Sequence, residues 1–197
     1  MERDSALLVV DMQNCFLPGG SLAVAEGDEV IPVINRYIEL FQGAGRPVFA
    51  SRDWHPEETT HFEKWPQHCV QNTRSAEFHP DLALPPDATV VSKGMDPQED
   101  AYSAFQAVDQ EGRLLGDSLR ARGIRHLYVS GLALDYCVRY SALDAARNGL
   151  QVTLLIDATR AVNAEIHDAE TAIEDLVRSG VRLATIETVG AREASAD

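Results

Sequence analysis

Apolar residues in this chain fall into short unbroken runs separated by stripes at helical spacing. Ser5-Ala6-Leu7-Leu8-Val9-Val10 is continuous and closes on Asp11, the pattern of a strand buried on both faces of a parallel sheet. Similar runs at 46–51, 88–93, 127–130, 152–156 and 181–186 predict five more strands. Between them, Val30, Val33, Ile34, Ile38 and Phe41 make an apolar stripe that predicts a helix over 29–44, with Asp28 as its N-cap. Further helices are predicted over 111–122, 135–148 and 164–179, stopped by Gly123, Gly149 and Gly180. Strands alternating with helices imply an α/β fold, a parallel sheet covered on both faces with ligands at the strand C-terminal ends.

One region breaks the alternation. From Arg52 to about Pro86 there is no sustained period, yet the stretch holds four of the six histidines and both tryptophans. A long irregular segment in a compact domain tends to be functional, so it is read as the active-site loop region. Residues 1–190 are expected to form one domain, with 191–197 a frayed tail.

Composition narrows the partners. Seventeen Lys+Arg against 31 Asp+Glu give a net charge of −14, which argues against nucleic acid or an anionic membrane. No apolar run approaches a membrane span, and the N-terminus lacks a basic region followed by an apolar stretch. Three scattered cysteines do not read as a disulfide framework. A reducing cytoplasm is therefore expected.

The strand ends carry the candidate chemistry. Tyr128–Ser130 runs into Gly131-Leu132-Ala133-Leu134, then into a helix with Cys137 in its first turn. The positive end of the helix dipole favours thiolate there, and unpaired N–H groups at the same turn could hold an oxyanion. Cys137 as a small apolar core residue is the competing reading. Asp11 and Lys93 close two other strands, so acid, ammonium and thiol could meet over one crevice, Asp11 taking the thiol proton and Lys93 favouring the ionised forms. Taken alone, Lys93 reads better as a solvated surface charge. In the irregular region, Asp53 and His55 stand two apart in an extended segment, with His61 and His68 following. That set suits a divalent ion such as zinc, iron or manganese and leaves positions open for substrate. Phe16, Trp54, Trp65 and Tyr102 punctuate the same regions, either packing the core or forming a slot for a flat ring. His79, His126 and His167 read as structural or surface residues.

Together these segments resemble the nicotinamidase/pyrazinamidase branch of the isochorismatase-like cysteine hydrolases. The matching pieces are Val10–Asn14, Gly19-Gly20-Ser21-Leu22, Asp53-Trp54-His55-Pro56, Trp65-Pro66-Gln67-His68-Cys69-Val70, Lys93-Gly94 and Gly131–Val138, in family order. The resemblance implies a doubly wound, six-stranded parallel sheet and hydrolysis of nicotinamide, with pyrazinamide as an alternative substrate, in NAD salvage. It puts Asp11, Lys93 and Cys137 on the catalytic triad. Asp53, His55 and His68 fall on the metal ligands, with His61 on a further ligand of some members; zinc comes first, iron or manganese as alternatives. Phe16 and Trp65 fall on residues that sandwich the pyridine ring, and Tyr102 on a pocket aromatic. The N–H groups of Ala133 and Cys137 fall on the oxyanion hole, where members have a cis peptide, here Leu132–Ala133. The substrate is a small molecule, and a homo-oligomer is compatible.

Two positions depart from the pattern. Cys15 stands where members usually carry Asp, which adds a second thiol near the site, and the insert 95–100 between Lys93 and Tyr102 varies in length. Rival activities on the same fold are isochorismate hydrolysis, which does not need the Asp/His/His set, and cleavage of an aliphatic amide, which an aromatic slot does not suit. A silent metal-binding protein is the rival of a different class, disfavoured by the intact Asp11, Lys93 and Cys137.

Overall fold

The computed structural model describes residues 2–194, with side chains described as far as 190. Six parallel strands form one sheet in the order β3-β2-β1-β4-β5-β6. They are β1 Ser5–Val10, β2 Val48–Asp53, β3 Thr89–Lys93, β4 His126–Leu132, β5 Gln151–Arg160 and β6 Arg182–Ala184. The helices are α1 Ile31–Gly43, α2 Leu115–Ala121, α3 Arg139–Arg147, α4 Asp168–Arg178 and α5 Ile186–Ala194. Every residue of β1 and β4 is buried, which is why Ala6–Val10 and Leu127–Val129 read as apolar runs.

Successive β1 side chains point to opposite faces. Leu7 and Val9 join a core with Ile34, Ile38 and Phe41 of α1. Ala6, Leu8 and Val10 join the other, with Leu115 and Leu119 of α2 and Ala142 of α3. Two cores, one on each side of a central sheet, make the three-layer arrangement. The strand order reverses at β1, whose neighbours are β2 and β4. Such a reversal opens a crevice at the strand C-terminal ends.

Several element bounds differ from the sequence reading for local reasons. Asp28 does not cap α1: it lies in a 3-10 turn, Gly27–Val30, and α1 starts with Pro32 in its first turn, with no side-chain cap. Helix α2 begins at Leu115 because the Asp109 carboxylate accepts the Glu111 and Arg113 N–H groups and holds that stretch as a turn. Strand β5 runs past Asp157 to Arg160, its register against β4 shifting between Val129 and Gly131. Asp157 is thus not a strand-end acid; it takes the Tyr37 hydroxyl and the Ile186 N–H. Helix α4 begins only at Asp168. Of the residues 191–197 expected as a tail, 191–194 close helix α5, and 195–197 lie outside the described residues.

The reading of Cys15 as a second thiol near the site, among cysteines without a disulfide framework, is corrected. Cys15 and Cys69, 54 residues apart, form a disulfide, and Cys137 is the free cysteine. Sequence spacing could not reveal the pair, because the fold alone brings the turn after β1 against the irregular loop. No helix of the described residues is long and apolar enough to cross a membrane.

Candidate active site

Four strand ends deliver the polar floor of the crevice. Asp11 follows β1 in a left-handed conformation, φ 49°, which a short polar side chain tolerates better than most and which tends to mark functional positions. Lys93 ends β3 directly opposite Asp53, which ends β2. Cys137 lies in a wide helical turn, Leu134–Val138, after β4, where Tyr136 takes non-helical angles. The peptide Leu132–Ala133 before that turn is cis. Gly131 has φ +107°, and a Cβ there would meet the Val10 carbonyl oxygen at 2.0 Å. Only glycine therefore lets the β4 turn come this close to Asp11.

These groups converge. Lys93 Nζ lies 2.9 Å from Asp11 Oδ2 and 3.5 Å from Cys137 Sγ. Carboxylate oxygens of Asp11 and Asp53 and Cys137 Sγ lie within 4.8 Å of one another. Ser51 Oγ donates to the other Asp11 oxygen at 2.7 Å. Lys93 also pairs with Asp53 Oδ1. Lys93 is 1% exposed, so its reading as a solvated surface charge is excluded. A buried ammonium is tolerable only beside compensating anions. Burial by itself would lower the Lys93 pKa, but Asp11 and Asp53 outweigh it and hold the ammonium well above its ordinary value.

The thiol behaves otherwise than the helix-dipole argument suggests. Burial pushes Cys137 well above the ordinary thiol range, and Lys93 only partly opposes it. Burial likewise raises Asp11 against the pull of Lys93. Burial thus disfavours a free-standing thiolate at Cys137, and Asp11, within reach of the sulfur, is the group placed to exchange its proton.

The second cluster lies on the β2 side of the crevice. Asp53 Oδ2 is 3.7 Å from His55 Nε2 and 3.8 Å from His68 Nε2. His55, His61 and His68 each bring a ring nitrogen within 4.8 Å of the others. Each imidazole engages its Nδ1: His55 with the Gly94 carbonyl at 3.1 Å, His68 with the Pro66 carbonyl at 2.7 Å, and His61 with Asp100 Oδ1 at 2.6 Å. A Cβ on Gly94 would strike the His55 ring at 2.4 Å. His55 Nε2 is buried and finds no hydrogen-bond partner among the described residues, which a buried polar atom rarely tolerates unless a ligand completes it. Burial lowers the His61 pKa despite Asp100, favouring the neutral imidazole that ligates metals. Burial alone would raise Asp53, but Lys93, His55 and His68 outweigh it and hold the carboxylate well below its usual range. Three imidazoles and one carboxylate held ionised fit a divalent cation.

Between the two clusters lies a pocket of about 540 Å³, its mouth included, lined by Phe16, Trp65, Tyr102, Ala133 and Cys137 among others, with Asp53, His61 and His68 in the same wall. Trp65 Nε1 donates to the Tyr102 hydroxyl at 2.9 Å and packs edge-on against Tyr136. The Ala133 N–H meets no acceptor among the described residues. The Cys15–Cys69 bridge joins the residue before Phe16 to the residue after His68, so it stands behind the pocket wall and adds no free thiol.

Some residues of the site escaped the sequence reading. Gln13 donates to the Asp53 carbonyl and accepts the Asp53 N–H, both in the buried interior. Its signal was only a polar residue two places after Asp11. Asp135 accepts the N–H groups of Val162 and Asn163 and so places Val162 in the pocket wall. His79, His126 and His167 lie outside the histidine cluster; His126 bonds Glu2 and Thr153 instead.

Comparison with known proteins agrees with this geometry. Residues 5–188 match the isochorismatase domain model. The chain is 39% identical over 201 residues to a nicotinamidase of Escherichia coli, covering 92% of this chain and 94% of the relative. It is 40% identical over 186 residues to a nicotinamidase/pyrazinamidase of Mycobacterium tuberculosis, covering 90% and 97%. The zinc-bound crystal structure of the Pyrococcus horikoshii pyrazinamidase superposes with a TM-score of 0.85 at 43% identity, over 93% of this chain and 99% of that one. The chain belongs to the isochorismatase family.

Proposed function

We infer that this protein is a nicotinamidase, hydrolysing nicotinamide to nicotinate and ammonia and accepting pyrazinamide, in NAD salvage. The observation that carries the reading is a buried thiol beside Asp11 and Lys93 at the floor of an aromatic pocket with a histidine cluster in its wall. The relatives named nicotinamidase and pyrazinamidase support it, since they match over nine-tenths of the chain.

The reaction runs as two acyl transfers. Asp11 takes the Cys137 proton as sulfur attacks the carboxamide carbon, forming the C–S bond. The N–H groups of Ala133 and Cys137 hold the oxyanion, and Lys93 offsets the charge passing between sulfur and carboxylate. Collapse breaks the C–N bond, and Asp11 returns the proton to the departing ammonia. Asp11 then deprotonates a water, which attacks the thioester; the C–S bond breaks and Cys137 recovers its proton. Phe16 and Trp65 clasp the ring, with Tyr102 held against Trp65. Asp53, His55 and His68 would hold a divalent ion with His61 alongside, and that ion would offer the ring nitrogen a Lewis-acid contact that orients the substrate. Zinc suits three imidazoles and a carboxylate, and it is the ion in the Pyrococcus horikoshii structure.

Ammonia release from nicotinamide, with and without chelator, tests the reading. Stoichiometric ammonia and nicotinate are expected, with substrate affinity falling on metal removal. No release from nicotinamide or pyrazinamide by the metal-loaded protein would refute it.

A further inference from the structure

We propose that Asp100 is a positioning residue that holds His61 as a metal ligand and couples metal affinity to the aromatic wall of the pocket. This rests on the reading that the histidine cluster binds a divalent ion.

The three imidazoles of the cluster are oriented in two ways. His55 and His68 donate Nδ1–H to backbone carbonyls of Gly94 and Pro66, acceptors that belong to the frame of the fold. His61 instead faces a side-chain carboxylate, Asp100 Oδ1, at 2.6 Å. With Nδ1 so engaged, Nε2 is the nitrogen left to a cation, and the ring lies 4.6 Å from His55 in a near-parallel stack, 15° between planes. A carboxylate behind a ligating imidazole fixes its tautomer and ring angle.

Asp100 also binds two segments together. Its second oxygen pairs with Lys64, next to the turn Thr60–Glu63 that carries His61. The same two segments are tied again where Thr60 N–H and Thr59 Oγ1 both donate to the Pro97 carbonyl, at 2.9 and 3.1 Å. On the other side of Asp100, Ala101 and Tyr102 line the pocket, and the Tyr102 hydroxyl takes the Trp65 N–H. One side chain therefore stands between a histidine ligand and the residues that clasp the ring. The insert 95–100, which the sequence marked only as variable in length, supplies this carboxylate.

The test is zinc affinity, measured by competition with a chromophoric chelator, in wild type, Asp100→Ala, Asp100→Asn, His61→Ala and the double variant His61→Ala/Asp100→Ala. Asp100→Ala is expected to weaken zinc about 10- to 100-fold. Asp100→Asn keeps an oxygen to accept Nδ1–H and should lose markedly less, while guarding against misfolding. Because Asp100 acts through His61, the double variant should bind zinc no more weakly than His61→Ala alone. Cobalt-substituted Asp100→Ala should show an altered visible spectrum, as His61 leaves its place. Unchanged affinity in Asp100→Ala, or a further loss when it is added to His61→Ala, overturns the positioning role. A wild type that binds no zinc overturns the metal reading beneath it, which the other outcomes do not touch.

Discussion

The two clusters of the site are built by different means. Asp11, Lys93 and Cys137 stand at or just past the ends of strands β1, β3 and β4, and their positions follow from sheet register: Val10 pairs with Gly131, and Asp53 with Lys93. The histidines and aromatics come from loops, held by carbonyls of Gly94 and Pro66, by Asp100, and by the Cys15–Cys69 bridge. Asp53 belongs to both, giving one oxygen to Lys93 and facing His55 and His68 with the other. In the proposed function, bond-making chemistry is thus anchored in the sheet, and recognition of the ring is left to the loops. Such a division lets one fold keep a thioester mechanism while changing its substrate.

Removing the nucleophile separates the clusters most sharply. Cys137→Ala should lower kcat by about 10⁴-fold or more, while nicotinamide affinity, measured calorimetrically, changes by only a few-fold. An equal collapse of binding would mean that the thiol belongs to recognition.

Lys93→Met should act on stability as well as rate. It leaves Asp11 and Asp53 buried without a cation, at a cost of about 3–5 kcal/mol in urea unfolding. A variant of wild-type stability would show that the ammonium does not compensate the two acids.

Opening the disulfide should weaken the loop side and spare the sheet side. The closed loop spans 54 residues, so the chain-entropy model gives about 4 kcal/mol at most. Cys15→Ser/Cys69→Ser, or a dithiol reductant, should lower Tm and raise KM, with kcat at saturation little changed. A loss confined to kcat would place the bridge with the triad instead.

Chelation should be mildest, raising KM about tenfold, the free-energy equivalent of about 1.4 kcal/mol.

What the sequence revealed follows the same division. Strand β1 is buried throughout and closes on Asp11, and the short edge strand β3 carries Val90-Val91 and closes on Lys93, so both could be read directly, as could the turn before Cys137. Helix starts were less legible, because α1 opens on Pro32 after a 3-10 turn and α2 is delayed by Asp109, both local contests that periodicity does not record. The Cys15–Cys69 pair and the Asp100–His61 contact join residues 54 and 39 positions apart through loops without a period. The upward push on the Cys137 thiol was hidden too, for it comes from burial, which Lys93 only partly opposes.

Rapid-quench mass spectrometry of the metal-loaded enzyme mixed with nicotinamide asks most directly whether sulfur makes the bond. The expected result is a transient nicotinoyl group on the peptide containing Cys137, absent from Cys137→Ala and gone once substrate is consumed. Undiminished ammonia release by Cys137→Ala, with no adduct in the wild type at any time, would contradict it.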